Sequence, residues 1–83
     1  MRGFEYIVSA DALEIFRFQT LRQRQLLADA FDKIAASPFD DSDGQRRDAK
    51  GRDYSVRRFG KWKITFWIDV PVWEVRIVEI TRP

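Results

Sequence analysis

The alternation of apolar and polar positions is clearest between Tyr54 and Ile68. Phe59, Trp62, Ile64, Phe66 and Ile68 fall on one side of an extended chain that folds back at Gly60-Lys61. Tyr54, Val56, Arg58, Lys63, Thr65 and Trp67 fall on the other, because successive side chains of a strand point to opposite faces. Gly60-Lys61 fits a two-residue turn whose first central position needs a positive φ. The stretch therefore reads as a β-hairpin with Phe59 opposite Trp62 and Arg58 opposite Lys63. One face is an apolar row, with Arg57 and Ser55 at its side, that packs on something. The other is basic and aromatic, and suits an anion.

Residues 4–8 read as a short strand. Ser9 and Asp11 are N-cap candidates for a helix over 10–18, and Glu14 follows Asp11 at the capping-box spacing. Leu13 and Phe16 make its stripe, widened by Ala12, Ile15 and Phe18. Thr20 is placed to cap a second helix over 21–36, where Leu27, Ala30, Phe31 and Ile34 recur at core-facing spacing. Pro38 stops it, since the residue before a proline avoids helical geometry. So short a link makes the two helices an antiparallel pair. Residues 40–52 are polar and turn-rich and read as a loop, ordered at most around Lys50-Gly51-Arg52. After the hairpin, Pro71 breaks the ladder, and 73–81 is the last strand. Its apolar residues occupy both faces, which means either a central strand or a bulge that shifts the phase.

The expected fold is α+β: a β-α-α-β-β-β order, with a mostly antiparallel four-stranded sheet and a helical hairpin packed on one face. The 83 residues make one domain, 1–83, with one modest core. A chain of this size buries only about 60 % of its unfolded surface.

Charge sharpens this picture. The net charge of +2 hides an uneven distribution. Residues 1–43 hold five basic against eight acidic residues, and 44–83 hold ten against five. Between 46 and 63 stand Arg46, Arg47, Lys50, Arg52, Arg57, Arg58, Lys61 and Lys63 against Asp48 and Asp53 alone, a plausible nucleic-acid footprint. Arg46 and Arg47 read as solvated, and Arg76 as a partner of Glu74 or Glu79. The absence of Cys and His removes sulfur-based metal sites, disulfides and Ser-His triads. Asp41 and Asp43 lack the ligand run and terminal Glu of an EF-hand, so neither metal nor cofactor is expected. No apolar run is long enough to span a membrane and no signal-peptide pattern opens the chain, so the expected setting is cytoplasmic.

The element order, Lys50-Gly51 ahead of the hairpin, and above all the run from Tyr54 through Arg57-Arg58, Gly60 and Trp62-Lys63 to Phe66 resemble the RelE/ParE superfamily of bacterial toxins. That family commonly shows Tyr/Arg-x-Arg-x-Gly-x-Tyr-Arg followed by a hydrophobic residue. Gly51 to Arg57 and Val75 to Ile80 also resemble its HigB-like branch. The resemblance implies the toxin of a toxin–antitoxin pair, held inactive by a cognate antitoxin that lays an amphipathic segment over it and through which it can oligomerise. It implies metal-free cleavage of mRNA on the ribosome, with Arg57 or Arg58, Lys63 and Arg82 in the family's catalytic positions. Arg58 is favoured over Arg57 because it shares a face with Lys63. Lys50, Arg52, Tyr54, Lys61 and Trp67 are the candidate RNA-binding residues, Trp67 as a stacking platform. Trp62 reads as core.

In such cleavage the RNA's 2′-OH attacks the adjacent phosphorus. The enzyme must accept the 2′ proton, stabilise charge on the phosphoryl oxygens and protonate the leaving 5′ oxygen. Arginines and lysines supply the charge stabilisation. The proton acceptor is open: no His or Tyr follows Glu79, which leaves Lys63 or Lys61, then Tyr54. That same gap supports a ParE-like inhibitor of DNA gyrase. An inactive relative kept for its protein contacts is the third alternative.

Overall fold

The structure, a computed structural model, describes residues 3–40 and 43–82. In chain order its elements are β1 (Glu5–Val8), α1 (Ala10–Arg17), α2 (Leu21–Ala36), β2 (Gly44–Arg47), β3 (Asp53–Phe59), β4 (Trp62–Asp69), a 3-10 turn at Val70–Val72 and β5 (Glu74–Thr81). The sheet order is β1-β5-β4-β3-β2. β1 runs parallel to β5, and every other pair is antiparallel. The α+β architecture is the expected one, with the sheet mixed and one strand larger.

The additional strand, β2, lies inside the stretch read as a loop. Gly44-Gln45-Arg46-Arg47 has no apolar side chain, so hydrophobic patterning gives no sign of it. Backbone pairing to Asp53–Val56 builds it instead, and Arg47 Nε donates to its cross-strand partner Asp53 at 2.8 Å. A short, charged edge strand of this kind also resists pairing with other chains. Asp41, also named in that loop, lies outside the described residues.

The β3–β4 hairpin has the predicted register, Phe59 opposite Trp62 and Arg58 opposite Lys63. Gly60 has φ 61°, where a side chain would be strained. The core forms where Leu27, Ala30, Phe31 and Ile34 of α2 meet Trp62, Ile64 and Phe66 of β4 and Val75, Ile77 and Ile80 of β5. The indole of Trp62 donates to Gln23 Oε1 at 2.9 Å, which satisfies its one polar atom. α1 contributes less than its stripe suggested. Ala12 is fully buried and Phe16 partly so, while Leu13 stays 45 % exposed.

The double-faced pattern of β5 comes from a bulge. Thr65 pairs with Glu79 and Phe66 with Ile77, so Val78 is the extra residue. It turns Ile80 back to the core with Ile77 and Val75, and sends Glu79 and Thr81 to the opposite face. Ser9 fixes this point to α1. Its hydroxyl donates to the Val78 carbonyl at 3.0 Å and accepts from the Ala12 amide at 3.2 Å, and its own amide donates to the Ile77 carbonyl at 2.8 Å. Ser9, rather than an Asp11–Glu14 box, is therefore the N-cap of α1. Ser9→Ala should lower stability by about 1–2 kcal/mol in chemical denaturation, since it removes a cap and strands a bulge carbonyl. Phe31→Ala should cost about 3–5 kcal/mol through the cavity it leaves.

Candidate functional site

The helices cover one face of the sheet. On the other, the register sets Arg58, Lys63 and Thr81 in a row across β3, β4 and β5. The next row is Val56, Thr65 and Glu79, with Gly44 of β2 beside Val56. Val56 and Thr65 are buried although no helix lies over them. On the same face Arg46 reaches from the edge strand β2 to Glu79 of β5, Nη1 to Oε1 3.3 Å. The result is a shallow floor of Val56 and Thr65, with Arg58 and Lys63 on one side and the Arg46–Glu79 pair on the other.

Beyond this floor lies an aromatic group. The Arg52 guanidinium sits 4.1 Å from the centroid of the Trp67 ring, and that of Arg76 sits 5.6 Å from it. The Trp67 platform thus carries arginine before any ligand arrives. Arg76 is held by Glu74 at 2.8 Å and Asp69 at 3.5 Å, as expected of a paired residue. Tyr54 donates its phenol to Asp48 Oδ2 at 3.2 Å, and Asp48 Oδ1 accepts from the amides of Lys50 and Arg52, each at 2.9 Å. Asp48 thereby holds the β2–β3 turn, in which Gly51 takes φ 85°. The Arg52 amide above all, then the Lys50 amide, the Tyr54 hydroxyl and the Arg52 charge, hold the Asp48 carboxyl below the usual carboxylate range, against a desolvation that outweighs each of them but the first. The Arg47 guanidinium does the same for Asp53.

Four candidates stand apart from this face. Arg57 points to the helix side, where Nη2 donates to the carbonyls of Ser37 (3.1 Å) and Asp40 (3.2 Å) beyond the end of α2. Its guanidinium lies 5.5 Å from the Phe66 ring centroid. Arg82 lies over the Trp62 ring, 5.7 Å from its centroid, again on the helix side. Lys61 is at the hairpin turn. Lys50 is exposed in the β2–β3 turn. Arg58, Lys63, Arg52, Tyr54 and Trp67 are the predicted residues that share the open face. Arg46 is bonded rather than merely solvated, and Thr65, Glu79 and Thr81 join the same surface. The alternation of β3 and β4 signals Thr65, but the phase change at Val78 hides Glu79.

No protein-family model and no curated protein matches the sequence. Solved structures do match. A chain of the toxin–antitoxin complex RelBE2 from Mycobacterium tuberculosis superposes with a TM-score of 0.82 at 12 % identity, over 99 % of this chain and 100 % of that one. A chain of the archaeal RelE–RelB complex from Pyrococcus horikoshii OT3 superposes with a TM-score of 0.76 at 7 % identity, over 98 % and 96 %. This chain has the RelE fold. At such low identity the likeness speaks for the fold alone, which is the fold the hairpin motif implied. No helix among the described residues is long and apolar enough to cross a membrane.

Two outcomes test this geometry. Depressed carboxyls stabilise the fold fully above the unfolded-state value, and that stability is lost as pH falls through their lower folded values. The Arg52 amide resonance should therefore titrate below about pH 4, near the unfolded Asp value, and should not do so in Asp48→Asn. Arg57→Ala should destabilise the fold by about 1–3 kcal/mol, since it leaves carbonyls at the end of α2 unpaired, whereas Arg58→Ala should leave the denaturation midpoint nearly unchanged.

Proposed function

We propose that this protein is the toxin of a toxin–antitoxin pair and acts as a metal-free endoribonuclease on ribosome-bound mRNA. The observation that carries this reading is the row of Arg58, Lys63 and Thr81 beside the Thr65 floor, on the helix-free face of a RelE fold. Two cations on adjacent strands, with Cβ atoms about 4.5–5.5 Å apart, suit the non-bridging oxygens of one phosphodiester. Arg58 offers a planar fork of donors and Lys63 a point charge. Arg46, Arg52 and the Arg-covered Trp67 extend the cationic surface along the strand direction an RNA backbone would follow. Bases splayed from a single strand would stack on the exposed side of Arg52 or displace it from Trp67. The partner is a cognate antitoxin, in keeping with the toxin–antitoxin complexes whose fold this chain shares. On this reading Arg57 and Arg82 support the fold rather than the reaction.

The test is cleavage of mRNA in a translating extract. Arg58→Ala and Lys63→Ala should each slow cleavage by about 100-fold or more, the size expected for one lost charge-stabilising donor, with folding intact. Lys63→Glu should abolish growth arrest. Arrest of DNA supercoiling with translated mRNA left whole would reject the nuclease reading in favour of a gyrase inhibitor.

A further inference from the structure

We infer that Glu79 is the proton acceptor of this site, a conclusion that rests on the nuclease reading above. The face supplies cations generously, and its carboxylates are few. Among the described residues on and around it, Asp69 and Glu74 are committed to Arg76 and Asp48 to the turn amides and Tyr54, while Asp53 pairs with Arg47 on the alternate face of β2 and β3. Asp43 accepts the Arg58 backbone amide at 2.6 Å. Glu79 differs in both place and partner. It stands opposite Thr65 and diagonal to Lys63, whose own cross-strand neighbours are Arg58 and Thr81. Its single bond is to Arg46 on the edge strand, a pair with side chains 60 % and 46 % exposed. Exposed ion pairs hold their partners weakly, and an arriving phosphate competes directly for the same guanidinium.

Diagonal positions on one sheet face lie about 7–8 Å apart. One phosphodiester fits that gap with hydrogen-bond reach of about 2.6–3.2 Å to each side. With phosphoryl oxygens on Arg58 and Lys63, the 2′-OH of the preceding ribose falls toward Glu79. The Glu79 carboxylate takes the 2′ proton as O2′ bonds to phosphorus. The P–O5′ bond breaks, and the Lys63 ammonium gives its proton to the leaving 5′ oxygen. The products are a 2′,3′-cyclic phosphate and a 5′-hydroxyl. The protonated Glu79 then returns its proton through solvent to the neutral Lys63. Arg46 turns from Glu79 to the phosphate as this occurs. Arg46, Arg58 and Lys63 are the charged side chains around Glu79 on this face.

The experiment measures single-turnover cleavage of ribosome-bound mRNA alongside binding of the same RNA made uncleavable by a 2′-O-methyl group. Glu79→Gln should cut the cleavage rate by about 100-fold or more, the usual worth of a positioned base. It should bind the blocked RNA at least as tightly as wild type and unfold at the same temperature. Glu79→Asp should recover part of the rate. Arg46→Met removes both the ion pair and a phosphate contact and should itself slow cleavage, but adding Glu79→Gln to it should cut the rate by about a further 100-fold. If wild type cleaves and Glu79→Gln cleaves within about threefold of it, the inference is wrong and the nuclease reading survives. If Glu79→Gln costs nothing further in the Arg46→Met background, Glu79 acts only by holding Arg46, and the inference is equally wrong. If wild type itself leaves mRNA whole, the nuclease reading fails and takes this inference with it.

Discussion

One extra residue in the last strand decides what both faces of the sheet can do. The bulge at Val78 lets β5 present Val75, Ile77 and Ile80 to α2, although the spacing from 77 to 80 is odd. Without the insertion, Ile80 would leave the core and Glu79 would enter it. A buried, unpartnered carboxylate and an exposed isoleucine would both cost stability. Ser9 helps hold the insertion in place. Its amide and hydroxyl take the Ile77 and Val78 carbonyls while its oxygen caps α1. The start of the helical layer and the phase of the open face thus meet at a single residue.

The hairpin shows how finely alternation divides labour. Arg57 and Arg58 are adjacent and chemically identical, yet the pleat sends them to opposite faces. Arg57 takes carbonyls beyond the end of α2 and rests near Phe66. Arg58 stands opposite Lys63 on the helix-free side. Arg82 and Thr81 divide in the same way, and only Thr81 reaches the Lys63 row. Proximity in sequence to a basic motif therefore says little about membership of the site. Strand parity says much more.

The legible parts of the fold were those with an apolar signal. The spacing of Leu27, Ala30, Phe31 and Ile34 gives α2 from Leu21 to Ala36 and its buried stripe, and the Gly60 turn gives the hairpin register. β2 was not legible, because Gly44–Arg47 is held by backbone pairing and the Arg47–Asp53 bond rather than by burial. Of the open face, Arg58, Lys63 and Trp67 follow from alternation. Glu79 does not, since its orientation depends on a bulge that the sequence allows without requiring. Arg46 does not either, because its reach to Glu79 exists only once β2 is placed beside β3. That Trp67 already lies under Arg52 is a contact between distant positions that no local pattern encodes.

The most direct measurement is the chemistry of the ends left on mRNA after the purified protein meets translating ribosomes. A cationic face acting through the RNA's own hydroxyl predicts a 2′,3′-cyclic phosphate on the upstream fragment and a 5′-hydroxyl on the downstream one. It also predicts that a single 2′-deoxy substitution at the cleaved nucleotide stops the reaction. Intact mRNA, or cleavage that persists at the 2′-deoxy position, would contradict the account.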